Sequence, residues 1–230
     1  SSGFPGISTR IPFENGFLSE VLLEKGYNTY CVGKWHLTPG EETGMAASKR
    51  RWPLGRGFER FYGFLGGESS SWYPDLVHDN HPVDPPATPE EGYHIAKDLS
   101  DQAIRFIRDA KVVEPDKPFF MYFSLDAAHA PHHVFKEWAD KYKGRFDEGW
   151  DATRQRWFER QKAMGIIPAD TELAPRNPGV DAWDSLPADQ QKLALRLQEA
   201  FAGFLDHTDS QVGRLMAFLE QIGERDNTVT

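Results

Sequence analysis

Two side chains that can bind anions or move protons, Lys34 and His36, stand one residue apart after a short apolar segment. That segment, residues 27–32, carries aromatic and β-branched residues between Gly26 and Gly33, which predicts a β-strand. In an open α/β sheet, ligands bind at the carboxyl ends of the strands, where both residues would lie. An ammonium group beside an imidazole suits a substrate with negatively charged oxygens.

Three histidines follow a second predicted strand. Residues 119–125 form a continuous apolar run, typical of a strand buried on both faces in a parallel sheet, and His129, His132 and His133 come soon after it. Taken alone, they could bind zinc, but two of them are adjacent and no further ligand lies at a useful spacing. Capping or surface exposure is the alternative for all three. Because loops after neighbouring parallel strands converge, we favour a shared site with the first pair.

The elements that would position these residues alternate between helix and strand. Apolar residues at helical spacing predict helices over residues 12–25, opened by Pro12, and over residues 96–110. A strand follows each helix, so we expect an α/β fold with a mostly parallel central sheet flanked by helices. Residues 38–95 are rich in glycine, proline and aromatic residues, and we interpret them as a long ordered excursion over one rim of the sheet.

Two segments of this excursion could bind ions. The basic trio at residues 49–51 could line an anion pocket, although a solvated patch is the preferred interpretation. His-Asp-Asn-His at residues 78–81 has metal-ligand chemistry, but the neighbouring prolines favour a turn. The single cysteine, Cys31, excludes an internal disulfide, and its place inside a predicted strand indicates a small buried residue.

Residues 135–185 are predicted to be a helical insertion, not a separate domain. Helical patterns cover residues 135–143 and 150–164, and a proline-rich connector follows them. We interpret the insertion as a flap that packs on the core.

The next helical pattern runs from Ala188 to Gly223. A straight helix of that length would extend roughly 50 Å. We therefore expect a bend or break near Gly203 or at residues 206–209, and we place His207 on the polar side, outside the catalytic site.

The composition is that of a globular protein of 230 residues with a net charge of −9, which argues against nucleic acid as a partner. No apolar run is long enough to span a membrane, and the compartment is not indicated.

The chain has no initiator methionine, begins in a Gly-, Ser- and Pro-rich loop at residues 1–11 and stops where a strand would begin. We expect an internal fragment, one partial catalytic domain over residues 1–230.

Four segments carry a resemblance to one family, and they keep that family's order along the chain. They are Gly-Tyr-Asn-Thr at 26–29 with Gly-Lys-Trp-His-Leu at 33–37, the strand with His-x-Pro at 118–131, Asp-x-x-Val-Gly at 209–213, and Asp-Asn-Thr at 226–228. Together they resemble the type I sulfatase family of the alkaline-phosphatase-like superfamily. The stretch 129–138 is most similar to the long arylsulfatase-like members.

The resemblance implies a role for each of three residues. Lys34 matches the lysine that binds sulfate oxygens and the hydrated nucleophile, and His36 matches the histidine that hydrogen-bonds the formylglycine hydrate. His129 matches the histidine near the bridging oxygen of the ester. Sulfate transfer places charge on peripheral and leaving oxygens, so fixed cations and hydrogen-bond donors would stabilise its transition state.

The chain also departs from the family pattern. The family's formylglycine is made from Cys/Ser-x-Pro-x-Arg by a formylglycine-generating enzyme, and no such motif occurs in this chain. The ligands of the family's divalent cation, Ca²⁺ or Mg²⁺, are expected before Ser1 and beyond Thr230, so we assign no metal ligand here. The resemblance implies a parent enzyme that hydrolyses small-molecule or glycan sulfate esters, and an inactive isolated fragment.

Two alternatives remain open. One is a phosphate or phosphonate ester hydrolase of the same superfamily, because related pockets accept phosphoryl groups. The other is a non-catalytic domain that binds sulfated ligands. The nucleophile of the parent protein would separate them, since Cys-x-Pro-x-Arg favours a sulfatase and Thr or unmodified Ser favours phosphoryl transfer.

Overall fold

The computed structural model describes residues 9–230, so residues 1–8 of the predicted N-terminal loop lie outside the described residues. Two compact units are present. The first contains the described residues up to His133 together with Thr208–Thr230, and the second is Val134–His207. Whether residues 135–185 are an insertion or a separate domain stays a prediction. No helix within residues 9–230 is both long and apolar enough to cross a membrane.

The first unit contains a mixed five-stranded sheet. Its strands are β1 (Asn28–Lys34), β2 (Arg60–Phe64), β3 (Leu76–His78), β4 (His81–Val83) and β5 (Phe119–Ser124). They lie in the order β4-β3-β2-β1-β5. Strand β1 pairs parallel with both β2 and β5, whereas β2–β3 and β3–β4 are antiparallel. The predicted α/β class is confirmed, and the sheet is mixed, with β2, β1 and β5 as its parallel strands.

Three of the strands fall within residues 38–95, so the segment contributes to the sheet itself, and its interpretation as a long excursion over one rim was wrong. Strand β2 is only five residues long and contains Gly63, and its strand character comes from pairing with β1, which the local sequence does not reveal. Strand β4 is an edge strand and tolerates Pro82 there. Residues 78–81 form the turn between β3 and β4, with Asp79 at a φ of 56°.

The helices are α1 (Leu18–Glu24), α2 (Ile95–Val113), α3 (Lys136–Asp140), α4 (Gly149–Ala163) and α5 (Ala188–Gln221). Helix α1 begins later than predicted, because Pro12 lies in a turn in which its carbonyl accepts the Asn15 N–H at 3.1 Å. Helix α5 is continuous, so the predicted break was wrong, and the predicted bend stays a prediction. At Gly203 a Cβ would lie 2.6 Å from the backbone nitrogen of Ala139, so this glycine permits close packing.

Alternate residues of the central strands pack into two apolar clusters, one on each face of the sheet. Val32 and Phe64 join a cluster with side chains of α2 and of the end of α5. Cys31 and Phe61 join the other cluster, with Trp52. Burial on both faces explains why β1 has no polar–apolar alternation.

The buried Arg56, only 1% exposed, fastens α1 to the loop before β2. Its guanidinium donates from Nε to Glu20 Oε1 at 2.8 Å and from Nη2 to the carbonyl of Asn15 at 2.7 Å. It also lies 3.7 Å from the ring centroid of Phe17. Burial acts to raise the pKa of Glu20, but hydrogen bonds from Arg56 and from the Phe17 N–H outweigh it and leave that pKa below its ordinary value.

Candidate active site

The three parallel strands end at one edge of the sheet. In the strand register, Gly33 lies opposite Ser124 of β5, and Lys34 lies opposite Phe64 of β2. The segments that follow β1, β2 and β5 therefore begin beside one another. This edge is the one at which open α/β sheets bind ligands.

Glycine is needed where the strand ends meet. Gly33 has a φ of 110°, and a Cβ at this position would lie 1.8 Å from the carbonyl oxygen of Ser124. A Cβ at Gly63 would lie 2.0 Å from the carbonyl oxygen of Gly33. These contacts are too short for any side chain, so both glycines set how closely the three strands approach just before the candidate residues.

Backbone pairing continues beyond β1 and places His36 in the turn that follows. The Trp35 N–H donates to the Phe64 carbonyl at 3.0 Å, and the His36 N–H donates to the Leu65 carbonyl at 3.1 Å. The Trp35 ring is buried, whereas Lys34 is partly exposed and His36 is exposed. With a φ of 53°, His36 leaves the extended conformation, and the chain turns there.

Gly67, in the loop after β2, lies against the imidazole of His36. A Cβ at this position would lie 2.6 Å from Cε1 and 2.7 Å from Nε2 of that ring. The sequence indicated Gly67 only as part of a glycine-rich loop. The contact depends on the register between β1 and β2, and β2 was missed.

His129 lies in the loop after β5, with its side chain about half exposed at 49%. Its Nδ1 atom is 2.7 Å from the carbonyl oxygen of Ala130 and 3.4 Å from Oε2 of Glu68. Both oxygens accept hydrogen bonds, so Nδ1 carries a proton in this geometry and Nε2 is the atom left for a substrate. Sequence reasoning missed Glu68, because only the fold brings it to His129.

Two other candidate residues lie close enough to His36 to affect its pKa. Partial burial lowers its pKa, and positive charge on Lys34 and on His129 lowers it further. The imidazole of His36 is therefore neutral near pH 7 and can accept a proton. Lys34 and His129 therefore each lie within electrostatic range of His36.

The remaining candidate residues contact other parts of the fold and not the site. Lys49 Nζ donates to the carbonyl of Gly44 at 2.7 Å, and Arg51 pairs with Glu42 at 2.9 Å, so the basic trio is largely occupied with its own loop. His207 is buried, with its ring 5.1 Å from that of Trp138, and its predicted place on the polar side of the helix was wrong.

A shallow concavity of ≈ 430 Å³ lies in the second unit, and none of the three candidate residues lines it. Two of its cations are already paired, Lys141 with Asp206 at 3.1 Å and Arg156 with Glu148. We assign this concavity no role.

The described residues present neither a cluster of metal-ligand side chains nor an accessible cysteine nucleophile. No group of three or more His, Cys, Asp or Glu side chains within residues 9–230 is arranged to hold a cation. Cys31 lies inside β1, and burial raises the pKa of its thiol, so it does not serve as an accessible nucleophile.

Comparison with known sequences gives a consistent result. A family model described as Sulfatase matches residues 3–229. An uncharacterized sulfatase of Schizosaccharomyces pombe is 30% identical over 98% of this chain and 41% of its own length. An arylsulfatase of Klebsiella aerogenes is 27% identical over 99% of this chain and 48% of its own length. The chain thus spans less than half the length of these curated relatives.

Solved structures show the same fold. Ps i-CgsB, crystallised with k-i-k-neocarrahexaose, has a TM-score of 0.60 and 22% identity, covering 97% of this chain and 40% of its own. A protein solved with its substrate D-glucosamine-2-N,6-O-disulfate has a TM-score of 0.53 and 19% identity, covering 91% and 47%. At these identities the likeness concerns the fold alone.

Proposed function

The chain belongs to the sulfatase family, and from that premise we propose that Lys34, His36 and His129 form the sulfate-binding part of a sulfuric ester hydrolase site in the full-length protein. The observation that carries this proposal is the parallel register of β1 with β2 and β5, which starts the segments bearing these residues at one edge of the sheet. Charge on Lys34 and His129, after burial, also lowers the pKa of His36. A cation and two imidazoles at the carboxyl edge of a parallel sheet suit a tetrahedral oxyanion.

Each side chain has a separate task in this proposal. The ammonium of Lys34 binds peripheral sulfate oxygens, where it stabilises charge that grows in the transition state. The neutral imidazole of His36 accepts a proton from the attacking group. When His129 is protonated, its Nδ1–H stays with Ala130 and Glu68, and its Nε2–H donates to the bridging oxygen as the ester bond breaks.

The rest of the machinery belongs to the full-length protein in this proposal. A formylglycine produced by a formylglycine-generating enzyme would supply the nucleophile, and Ca²⁺ or Mg²⁺ would supply additional positive charge. The isolated 230-residue chain should then show no turnover of an aryl sulfate, even with calcium, because bound positive charge without a nucleophile cannot complete the reaction. Turnover that is lost on mutating His36 would contradict this.

For the substrate we propose a sulfate ester of a glycan or of a small alcohol. Two structures with this fold were solved with neocarrahexaose and with a disulfated glucosamine. The half-exposed His129 agrees with a substrate that projects beyond the sheet edge. The alternative hydrolysis of phosphate or phosphonate esters uses the same oxyanion recognition, and a comparison of aryl sulfate with aryl phosphate turnover separates the two.

The test of this function replaces Lys34 in the full-length protein. Lys34→Ala should lower kcat/KM for an aryl sulfate by roughly 100–1000-fold, the usual effect of losing one such electrostatic contact. Lys34→Arg should recover little, because a planar guanidinium does not replace a compact ammonium. The matched control is Lys97→Ala, which removes an exposed lysine paired with Asp101. Equal rates for Lys34→Ala and wild type would remove Lys34 from the site.

A further inference from the structure

The loop that carries His129 is fastened at its first residue, Asp126. This side chain is only 7% exposed, and its Oδ2 atom accepts the hydroxyl proton of Ser71 at 2.7 Å. The carbonyl of Asp126 accepts the N–H of His129 at 3.2 Å. Ser71 itself is buried, and its carbonyl accepts the N–H of Ile95 at the start of α2 at 2.9 Å. A continuous path of hydrogen bonds therefore joins α2 to the backbone of His129.

The same serine also holds the far end of the loop. The N–H of Ser71 donates to Nδ1 of His133 at 3.3 Å. The fully buried His94 donates from Nε2 to the His133 carbonyl at 3.0 Å. The ring of Trp72 stacks on His133 at 6.0 Å and meets His94 edge-on at 5.0 Å. Both ends of the eight-residue loop are thus tied to residues 71–72 and to the start of α2.

The burial of the Asp126 side chain costs free energy of folding, so a gain in stability does not explain it. A buried carboxylate needs hydrogen bonds to offset its desolvation, and its Oδ1 atom has no hydrogen-bond partner among the described residues. An apolar pair of similar volume would hold two loops together at a lower cost. The serine–carboxylate pair instead fixes one geometry, since its hydrogen bond has a defined length and direction.

We propose that Ser71 and Asp126 are positioning residues that hold the loop 126–133 so that the imidazole of His129 faces Lys34 and His36. This inference rests on the proposed function, because it assigns the loop geometry to catalysis. Apart from the contacts of its Nδ1 atom with Ala130 and Glu68, the half-exposed His129 is held by its loop, so its placement depends on the two ends of that loop.

The kinetic test uses the full-length protein and an aryl sulfate. Ser71→Ala should lower kcat by roughly 10–100-fold with little change in KM, because misplacement of a catalytic group slows the reaction step while Lys34 still binds the sulfate. Asp126→Ala should behave in the same way. Asp126→Asn should retain most of the rate, since its amide oxygen still accepts the Ser71 hydroxyl.

The matched control is Ser100→Ala. Ser100 is an equally buried serine whose hydroxyl donates to the Ala96 carbonyl of its own helix at 3.0 Å, so its loss tests burial and stability without touching the loop. In a His129→Ala background, Ser71→Ala should cause no further loss of rate, which is the signature of action through His129. Equal losses in both backgrounds would overturn the proposal.

A second readout does not depend on activity. Amide hydrogen exchange at His129 should be faster in Ser71→Ala than in wild type, and unchanged in Ser100→Ala, because only the first variant frees the loop. If the wild-type protein shows no sulfatase turnover, the proposed function fails, and the exchange measurement still tests whether Ser71 holds the loop. Equal exchange at His129 in both serine variants would show that it does not.

Discussion

Gly67 leaves no room for a side chain beside the imidazole of His36. A Cβ at Gly67 would lie 2.6 Å from the His36 ring, so Gly67→Ala should push the imidazole aside. We expect kcat/KM for an aryl sulfate to fall roughly 10–100-fold, the scale of a displacement of about 1 Å. Gly40→Ala is the control, because a Cβ there has no neighbour within 4 Å. Parallel effects of the two variants would argue against the contact.

The rate loss on replacing His129 should depend on the leaving group of the ester. His129→Ala should slow esters of basic alcohols more than activated aryl sulfates, since protonation of the bridging oxygen matters most for a poor leaving group. The measurement is log kcat/KM against leaving-group pKa, and the variant should give a steeper negative slope than wild type. His81→Ala, which removes an exposed histidine of β4, should leave the slope unchanged. A uniform loss across the series would leave His129 a binding residue only.

The sequence predicted the residues that lie close to well-marked strands. Lys34, His36 and His129 each follow a run with clear strand character, so their shared edge could be inferred. Gly67 and Glu68 could not be inferred in this way, because their contacts depend on the register of β2. A five-residue strand that contains a glycine has no strong local pattern, and tertiary pairing decides its conformation.

At the scale of elements, the strongly periodic segments were predicted and the context-dependent ones were not. Helix α2 and strand β5 lie where their apolar patterns indicate. The start of α1 depends instead on a local hydrogen bond. The Glu20 carboxylate accepts the Phe17 N–H at 2.8 Å and caps the helix there. Helix α5 continues through Gly203 despite the low helix propensity of glycine, at a position where a Cβ would clash with the backbone of Ala139.

The attachment of α1 gives a prediction about stability. Arg56→Ala removes the guanidinium bonded to Glu20 and Asn15 and should lower the free energy of unfolding by about 3 kcal/mol, as expected when one partner of a largely buried pair is lost. Arg105→Ala, at an exposed pair with Asp109, should change it by less than about 1 kcal/mol. Urea unfolding of both variants at one pH gives the comparison. Similar changes would mean that Arg56 does not anchor the helix.

At the scale of the whole molecule, buried histidines should make stability depend on pH. Burial lowers the pKa of His94 despite the opposing effects of the His133 carbonyl and Asp126, and burial also lowers the pKa of His133. The unfolded chain, with histidine pKa values near ~6.5, then binds more protons than the folded chain at mildly acid pH. Stability should therefore fall as pH drops below about 6.5.

Urea unfolding at several pH values between about 5 and 7.5 measures this effect. His94→Asn should reduce the pH dependence, because it removes one titrating group and keeps a side-chain acceptor for the Ala96 N–H at the start of α2. His81→Ala, at an exposed position, should keep the wild-type pH dependence. An unchanged pH dependence in His94→Asn would show that His94 does not contribute.

The fold class was predictable from the alternation of helices and strands, and the family from a few motifs kept in order. The division into two units was harder to predict from the sequence. The second unit extends to His207, within α5, and therefore beyond the segment 135–185 that the sequence indicated as an insertion. A unit boundary inside a continuous helix leaves no loop or composition change to mark it.

The outer side of β5 has a consequence for handling the protein. Among the described residues this strand pairs only with β1, and its sequence Phe-Phe-Met-Tyr-Phe-Ser carries no charge and no proline. Tyr122 on this strand is 45% exposed. An open, apolar strand edge is a template for pairing with the same edge of another molecule. The isolated chain should therefore aggregate by edge-to-edge association at high protein concentration.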